Sequence, residues 1–245
     1  MKRREREGAG GSGREPKGSG RKSVAASRKR RSRPLPPAPA RSRPIFERLR
    51  ALYPDAKTAL DHTNPYQLIV ATILSAQTTD VRVNLVTPAL FQRYPDAFAL
   101  AQAKQGEVEK LIQSTGFFRN KAKSIIGMAQ ALVADHGGEV PRTMDALVAL
   151  PGVGRKTANV VLGNAFGLND GVVVDTHVTR LSQRLRLTRH TDPVKIEQDL
   201  MKLFPRESWA LLSHLLIFHG RQICIARAPK CPQCVLADLC PSARI

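Results

Sequence analysis

Cysteine is absent from the first 223 residues of this 245-residue chain, and the four that exist stand at 224, 231, 234 and 240. A disulfide framework staples distant parts of a fold, so this distribution excludes one and points to a metal site in a reducing compartment. No apolar run approaches the ~18 residues needed to span a bilayer. The longest, Leu68 to Leu74, has the length of a single buried element, so no membrane partner is expected. No apolar core follows the N-terminal positive charges, which excludes a secretory signal. Period-two alternation is missing as well, because Val172-Val173-Val174 is too short and isolated to build a sheet. Acidic residues are scarce, 20 against 39 Lys and Arg, which leaves a formal charge of +19.

What is present begins with that positive charge. Residues 1–43 hold 15 basic and 3 acidic groups with hardly an aliphatic side chain, and read as a disordered basic tail. Its expected role is non-specific, salt-sensitive affinity for a polyanion. Ordered chain is predicted to begin near Pro44-Ile45-Phe46. The remaining 202 residues are also basic, with 24 Lys and Arg against 17 acidic groups. A globular part that is itself basic favours a nucleic acid, because each cation on a phosphate releases condensed counterions. Glu5, Glu7 and Glu15, with Gly and Pro, argue against a mitochondrial amphipathic helix, while Arg28-Lys29-Arg30-Arg31 would serve as a nuclear address in a eukaryote. The expected location is the cytoplasm of a bacterium, with the nucleoid.

Beyond the tail the spacing is helical nearly throughout, and the predicted fold class is all-α. Pro65 opens a run, Tyr66 to Ala76, apolar on almost every face, which reads as a central buried helix. Asp80 is expected to cap the next helix, to about Tyr94. Ile125, Ile126, Met128, Ala129 and Leu132 carry three-and-four spacing. Asp192-Pro193 pairs an N-cap with proline at the first helical position, opening a helix to Leu203, and Ser208 to His219 makes the last long one.

Leu150-Pro151-Gly152-Val153-Gly154 separates two helical segments, about Thr143–Ala149 and Arg155–Phe166. Gly152, Val153 and Gly154 let the backbone turn tightly and approach a ligand, and the following helix opens with unpaired N–H groups suited to a phosphate. An ordinary helical hairpin accounts for the local sequence too. Lys156, near that helix start, is as readily a phosphate contact as a nucleophile, and Asp175 as readily an N-cap as a catalytic carboxylate. The four cysteines are separated by six, two and five residues, which suits one tetrahedral ion or one cubane equally.

The segment Leu-Pro-Gly-Val-Gly-Arg-Lys-Thr-Ala-Asn-Val-Val-Leu at 150–162, with Val174-Asp175-Thr176-His177 and the terminal cysteines, resembles the endonuclease III family of helix–hairpin–helix DNA glycosylases. The likeness runs from about residue 44 to the C-terminus. It implies a bifunctional DNA N-glycosylase and abasic-site lyase for oxidised pyrimidines, a monomer acting on damaged double-stranded DNA. Lys156 would supply the amine that forms a Schiff base, and Asp175 the carboxylate that steadies positive charge on the sugar. A free lysine is protonated at neutral pH. The helix start and partial burial would both favour the neutral amine, and Asp175 would oppose that, so a shift toward the neutral form is expected only if Lys156 is substantially desolvated. The resemblance assigns Cys224, Cys231, Cys234 and Cys240 to a structural 4Fe-4S cluster, and Arg227 and Lys230 to the DNA backbone.

Excision requires the nucleotide to leave the stack. The resemblance gives Gln77, in Ser75-Ala76-Gln77-Thr78-Thr79-Asp80, the part of filling the vacated space. The second wedge follows a glycine and is aliphatic in the family, whereas Gly116 here precedes Phe117-Phe118, which places an aromatic Phe117 there. A core role for both phenylalanines competes with that. His177 is expected to be a hydrogen-bonded neighbour of the site, and Trp209 to be packing. The implied architecture has two domains, 58–168 with the hairpin, and 44–57 combined with 169–245 around the cluster. The competing functional readings are a monofunctional mismatch glycosylase, which the lysine at 156 opposes, and a non-catalytic, metal-stabilised DNA-binding or zinc-bound RNA-binding module.

Overall fold

The computed structural model describes residues 35–244. Most of the tail, 1–34, and its expected disorder lie outside the described residues. Among those described, every regular element is helical, as the missing alternation required. Leu60 to Leu162 supply one buried cluster of side chains, and Ile45, Leu49 and Tyr53 join Val172 to Leu236 in a second.

The ordered chain begins earlier than the sequence suggested. Helix α1 spans Ala38–Leu52 and carries Pro44 inside it rather than at its start. The cause is tertiary. Arg41 is buried and spends its guanidinium on backbone carbonyls, donating from Nε to Pro36 (2.8 Å) and from Nη1 to Leu185 (2.8 Å) and Leu239 (2.9 Å). The bonds to Leu185 and Leu239 hold residues 36–43 against the C-terminal half, a placement that composition alone argued against.

The first cluster is assembled around α2 (Pro65–Leu74). Asn64 caps it, its side chain accepting from Gln67 N at 2.9 Å, and proline occupies the first turn, where its missing N–H costs nothing. Tyr66, Leu68, Ile69, Val70, Ala71, Ile73 and Leu74 are all buried, so the helix is enclosed on nearly every face, as its unbroken apolar run predicts. Around it pack α3 (Asp80–Arg93), α4 (Ala97–Ala101), α5 (Gln105–Ile112), α6 (Phe118–His136), α7 (Met144–Val148) and α8 (Arg155–Ala165). The cap of α3 is Thr79, accepting from Arg82 N at 3.3 Å, not Asp80. Asp80 is the first helical residue, free to reach elsewhere.

An extended segment, Val172 to Val174, leads into the second cluster with Val173 N donating to Ser213 Oγ at 2.9 Å. Helix α9 (Thr176–Arg184) is capped by Asp175. Helix α10 (Pro193–Leu203) is capped by Asp192, which accepts from Lys195 N at 3.0 Å as the Asp-Pro pair predicts. Helix α11 (Trp209–Gln222) completes the layer. Trp209 packs against this cluster and donates from Nε1 to Phe204 O at 2.8 Å, the packing role expected.

Candidate active site and cluster loop

A cavity of about 130 Å³ opens between the two clusters, and Lys156 and Asp175 both line it. One wall comes from residues 57–60, Thr72, Ser75 and Asp80, the other from Val173, Ser213, His214, Ile217, Phe218 and Arg221. Each of the two candidate residues is delivered by a helix start. Lys156 is the second residue of α8 and is exposed, so the protein's own packing does not desolvate it. Asp175 is half-buried and spends Oδ1 on Val178 N (2.8 Å), capping α9; its other oxygen has no hydrogen bond among the described residues. One carboxylate therefore serves both as cap and as part of the cavity.

The cavity is braced by polar contacts that spacing could not reveal. Arg221 at the end of α11 pairs with Asp80 at the start of α3 (2.8 Å), joining the two clusters. His214 Nε2 lies 2.8 Å from Asn164 Oδ1, and burial pushes its imidazole below the ordinary histidine range. It thus presents a neutral ring to the cavity at neutral pH. His177 is not part of the lining. It sits against Gly220 of α11, where a Cβ would come within 2.9 Å of its Nδ1, and accepts from Arg180 Nη2 at 3.1 Å.

The hairpin between α7 and α8 rests on α6. Gly152 has φ +76°, and a Cβ there would meet Ser124 Cβ at 2.7 Å. Val153 is buried in the first cluster, so only its backbone is free for a ligand. Gly154 differs from Gly152: its φ is −95°, nothing stands within 4 Å of an added Cβ, and it caps α8 without a side chain. The fold itself does not demand glycine at 154, and the backbone there is open to solvent. Gly152→Ala should lower Tm by several degrees through strain and the Ser124 clash. Gly154→Ala should leave Tm nearly unchanged yet weaken DNA binding. Thermal melts and filter-binding titrations on the two variants check both, and equal DNA affinity for wild type and Gly154→Ala would remove the hairpin from the interface.

Gln77 and Phe117 stand on two exposed turns, and both have left-handed backbones, φ +54° and +46°. The choice between wedge and core separates the two phenylalanines: Phe117 is 66% exposed, while Phe118 packs on the first cluster.

Cys224, Cys231, Cys234 and Cys240 line one cavity, with Arg184, Ile223, Pro229, Lys230 and Ala237. Among the described residues no group of three or more His, Cys, Asp or Glu is gathered tightly enough to hold a single ion. Four thiols around one cavity still form a donor set that suits one tetrahedral ion or one cubane cluster. The donor chemistry agrees. Burial, with the other cysteines adding to it, pushes the Cys234 and Cys240 thiols up. A cationic cluster relieves that by taking the thiolates as ligands. Around the sulfurs Arg184 acts as a clamp, donating to Cys224 Sγ (3.2 Å), Ile225 O (2.9 Å) and Ala226 O (2.7 Å). Fully buried His219 lies 3.2 Å from Cys234 Sγ and 3.1 Å from Tyr53 Oη. Arg227 and Lys230 are exposed on the same loop. Arg184, His219 and Tyr53 went unnoticed in the sequence because their partners lie far along the chain.

The hairpin, a lysine and an aspartate lining one cavity, and the loop of four cysteines are the features of a helix–hairpin–helix base-excision DNA repair protein. The model of the HhH-GPD superfamily of such proteins matches residues 70–206, and that of the iron–sulfur binding domain of endonuclease III matches residues 224–240. Endonuclease III of Synechocystis sp. is 60% identical over 204 residues, covering 83% of this chain and 93% of that protein. That of Bacillus subtilis is 46% identical over 195 residues, 79% and 89% of the two chains. A solved non-covalent endonuclease III–DNA complex superposes with a TM-score of 0.80 at 43% identity, covering 84% of this chain and 96% of that one. The chain belongs to the endonuclease III family. It is a base-excision repair DNA glycosylase and abasic-site lyase with a 4Fe-4S cluster at its C-terminal cysteines.

Proposed function

We propose that this protein removes oxidised pyrimidines from duplex DNA and then cleaves the abasic strand, with Lys156 as nucleophile and Asp175 as electrostatic partner. The observation that carries this reading is the shared cavity: an amine and a carboxylate from different helices meet in one cleft between two cores. Asp175 steadies the positive charge that grows on the sugar as the base departs. The neutral Lys156 amine bonds to C1′, the base leaves with its bonding electrons and takes a proton, and the sugar ring opens to an iminium. Loss of a proton from C2′ then expels the 3′ phosphate, and water releases the lysine. Lys156 is exposed until DNA covers it, so its desolvation is supplied by the bound nucleotide.

The remaining roles follow the surface. The open backbone at Gly152, Val153 and Gly154 takes a phosphate. Gln77 and Phe117 fill the space left by the extruded nucleotide, and Arg227 and Lys230 meet the DNA backbone beside the cluster. The cluster is structural, holding that loop in shape through the four cysteines. The two buried clusters are domains, 58–168 and a second made of residues 44–57 with 169–245, that grip DNA as a monomer in the cytoplasm. No helix among the described residues is long and apolar enough to cross a membrane.

Borohydride trapping on a duplex containing thymine glycol tests the chemistry. The wild type should give a covalent adduct and Lys156→Ala none. Base release without an adduct would make the enzyme monofunctional, and neither product from a cluster-loaded protein would exclude this lesion as substrate.

A further inference from the structure

Lys121, in the first turn of α6, is the most buried lysine of the described chain, 5% exposed, and the chemistry above makes no use of it. Its ammonium has no carboxylate partner among the described residues. All three of its donors are instead satisfied by neutral oxygens: Leu74 O at 2.8 Å, Thr78 Oγ1 at 2.6 Å and Thr115 O at 2.8 Å. Thr78 Oγ1 in turn donates to Thr115 O. A buried cation is costly unless each proton is bonded, and this one is bonded to two separate turns of the chain. Leu74 is the last residue of α2, where the helix dipole leaves negative charge, and Thr115 ends the short turn Gln113–Thr115 before Gly116.

Gln77 lies between Leu74 and Thr78, and Phe117 between Thr115 and Lys121. These two, with Arg186, are the non-glycine residues with positive φ among the described residues. A left-handed backbone is strained at such residues and persists only where the surroundings impose it. The tips are exposed, so nothing at the tips imposes it. What ties the two turns together underneath is the ammonium of Lys121, with the Thr78 Oγ1–Thr115 O bond beside it.

We propose that Lys121 is the positioning residue that presets Gln77 and Phe117 as one rigid pair, fixing their separation before DNA arrives. The proposal rests on the reading of those two residues as the ones that enter the duplex. Preorganisation of this kind lowers the ordering cost at the moment the nucleotide is extruded, and a misplacement of about 1 Å is enough to slow the reaction.

The test uses the full chain with its cluster and compares wild type, Lys121→Met, Thr78→Val and the double variant Gln77→Ala/Phe117→Ala. Base release is measured from duplex thymine glycol, strand cleavage from a single-stranded abasic oligonucleotide, and unstacking by the fluorescence of 2-aminopurine beside the lesion. Lys121→Met should lose on the order of 100-fold in duplex release, with a diminished 2-aminopurine signal, and keep single-strand cleavage within about threefold of wild type, since no stacked gap must be filled there. Thr78→Val should move the same way by less. Lys121→Met at the wild-type duplex rate, with the double variant impaired, overturns the proposal and spares the wedge reading. Equal losses on duplex and single strand also overturn it, by making Lys121 a general stabiliser. A fully active double variant removes the wedge reading, and the proposal with it. Should Lys121→Met fail to fold, Thr78→Val decides by the same split between substrates.

Discussion

Asp175→Asn should release bases on the order of 100- to 1000-fold more slowly than wild type while melting at nearly the same temperature. The two roles of this residue are separable because they use different properties. The cap on α9 needs an oxygen that accepts from Val178 N, and asparagine offers one as good as aspartate's. The proposed chemistry needs negative charge facing the sugar, which asparagine lacks. Asp175→Ala removes both, and should add a stability loss of about 1 kcal/mol. An abasic site supplied ready-made bypasses base expulsion, so trapping by Asp175→Asn should be better preserved on that substrate than on thymine glycol. Calorimetry and single-turnover release check these statements together. Wild-type release from Asp175→Asn would confine the residue to capping.

Arg155→Ala should be the most destabilising surface-reaching substitution near the site, at about 3 kcal/mol, because it strips a buried carboxylate of its charged partner. Arg155 opens α8 beside Lys156 and grips Glu197 of α10 through Nε–Oε2 at 2.7 Å and Nη2–Oε1 at 3.2 Å. Glu197 is 4% exposed and receives one further bond, from Asn159 Nδ2 at 2.8 Å. Gly171 lies so close that a Cβ there would fall 1.9 Å from Glu197 Oε1, so the carboxylate cannot swing out that way. The pair is also a strut between the two cores: α8 belongs to the first and α10 to the second. Its loss should lower Tm by about 10 °C and loosen the start of the helix that carries Lys156. The converse change, Glu197→Gln, leaves Arg155 half-exposed and able to find water, and should cost less. Equal melting temperatures for Arg155→Ala and wild type would mean that Glu197 is satisfied without the guanidinium.

The unequal legibility of these parts has a physical origin. Helix caps at Asn64, Asp175 and Asp192, the proline starts at 65 and 193, and the enclosed face of α2 were decided within a turn or two of chain, where a side chain and the N–H it accepts are neighbours by covalent geometry. The hairpin and cysteine spacings are local in the same sense, and they carry the family likeness. Near misses were local competitions: Thr79 took the cap expected of Asp80, because either residue at that boundary can accept from the first turn.

What tertiary structure alone decided is held by long side chains reaching distant backbone. Arg41 recruited residues read as tail into α1 through carbonyls 144 and 198 residues away. Lys121 meets Leu74 across 47 residues, Arg155 meets Glu197 across 42, and Arg184 closes on the cluster loop across 40 to 42. In sequence each is one more basic residue in a basic chain, consistent with a solvated face or a phosphate contact. Folding separates them, because a cation taken from water must find every hydrogen bond it loses, and only the packed arrangement of helices specifies where those acceptors stand. Composition and spacing were sufficient for the helical class, the glycine-containing turn at 152–154 and the grouping of the four cysteines. That Lys156 and Asp175 line one cavity was decided only by the packing of two cores around one cleft.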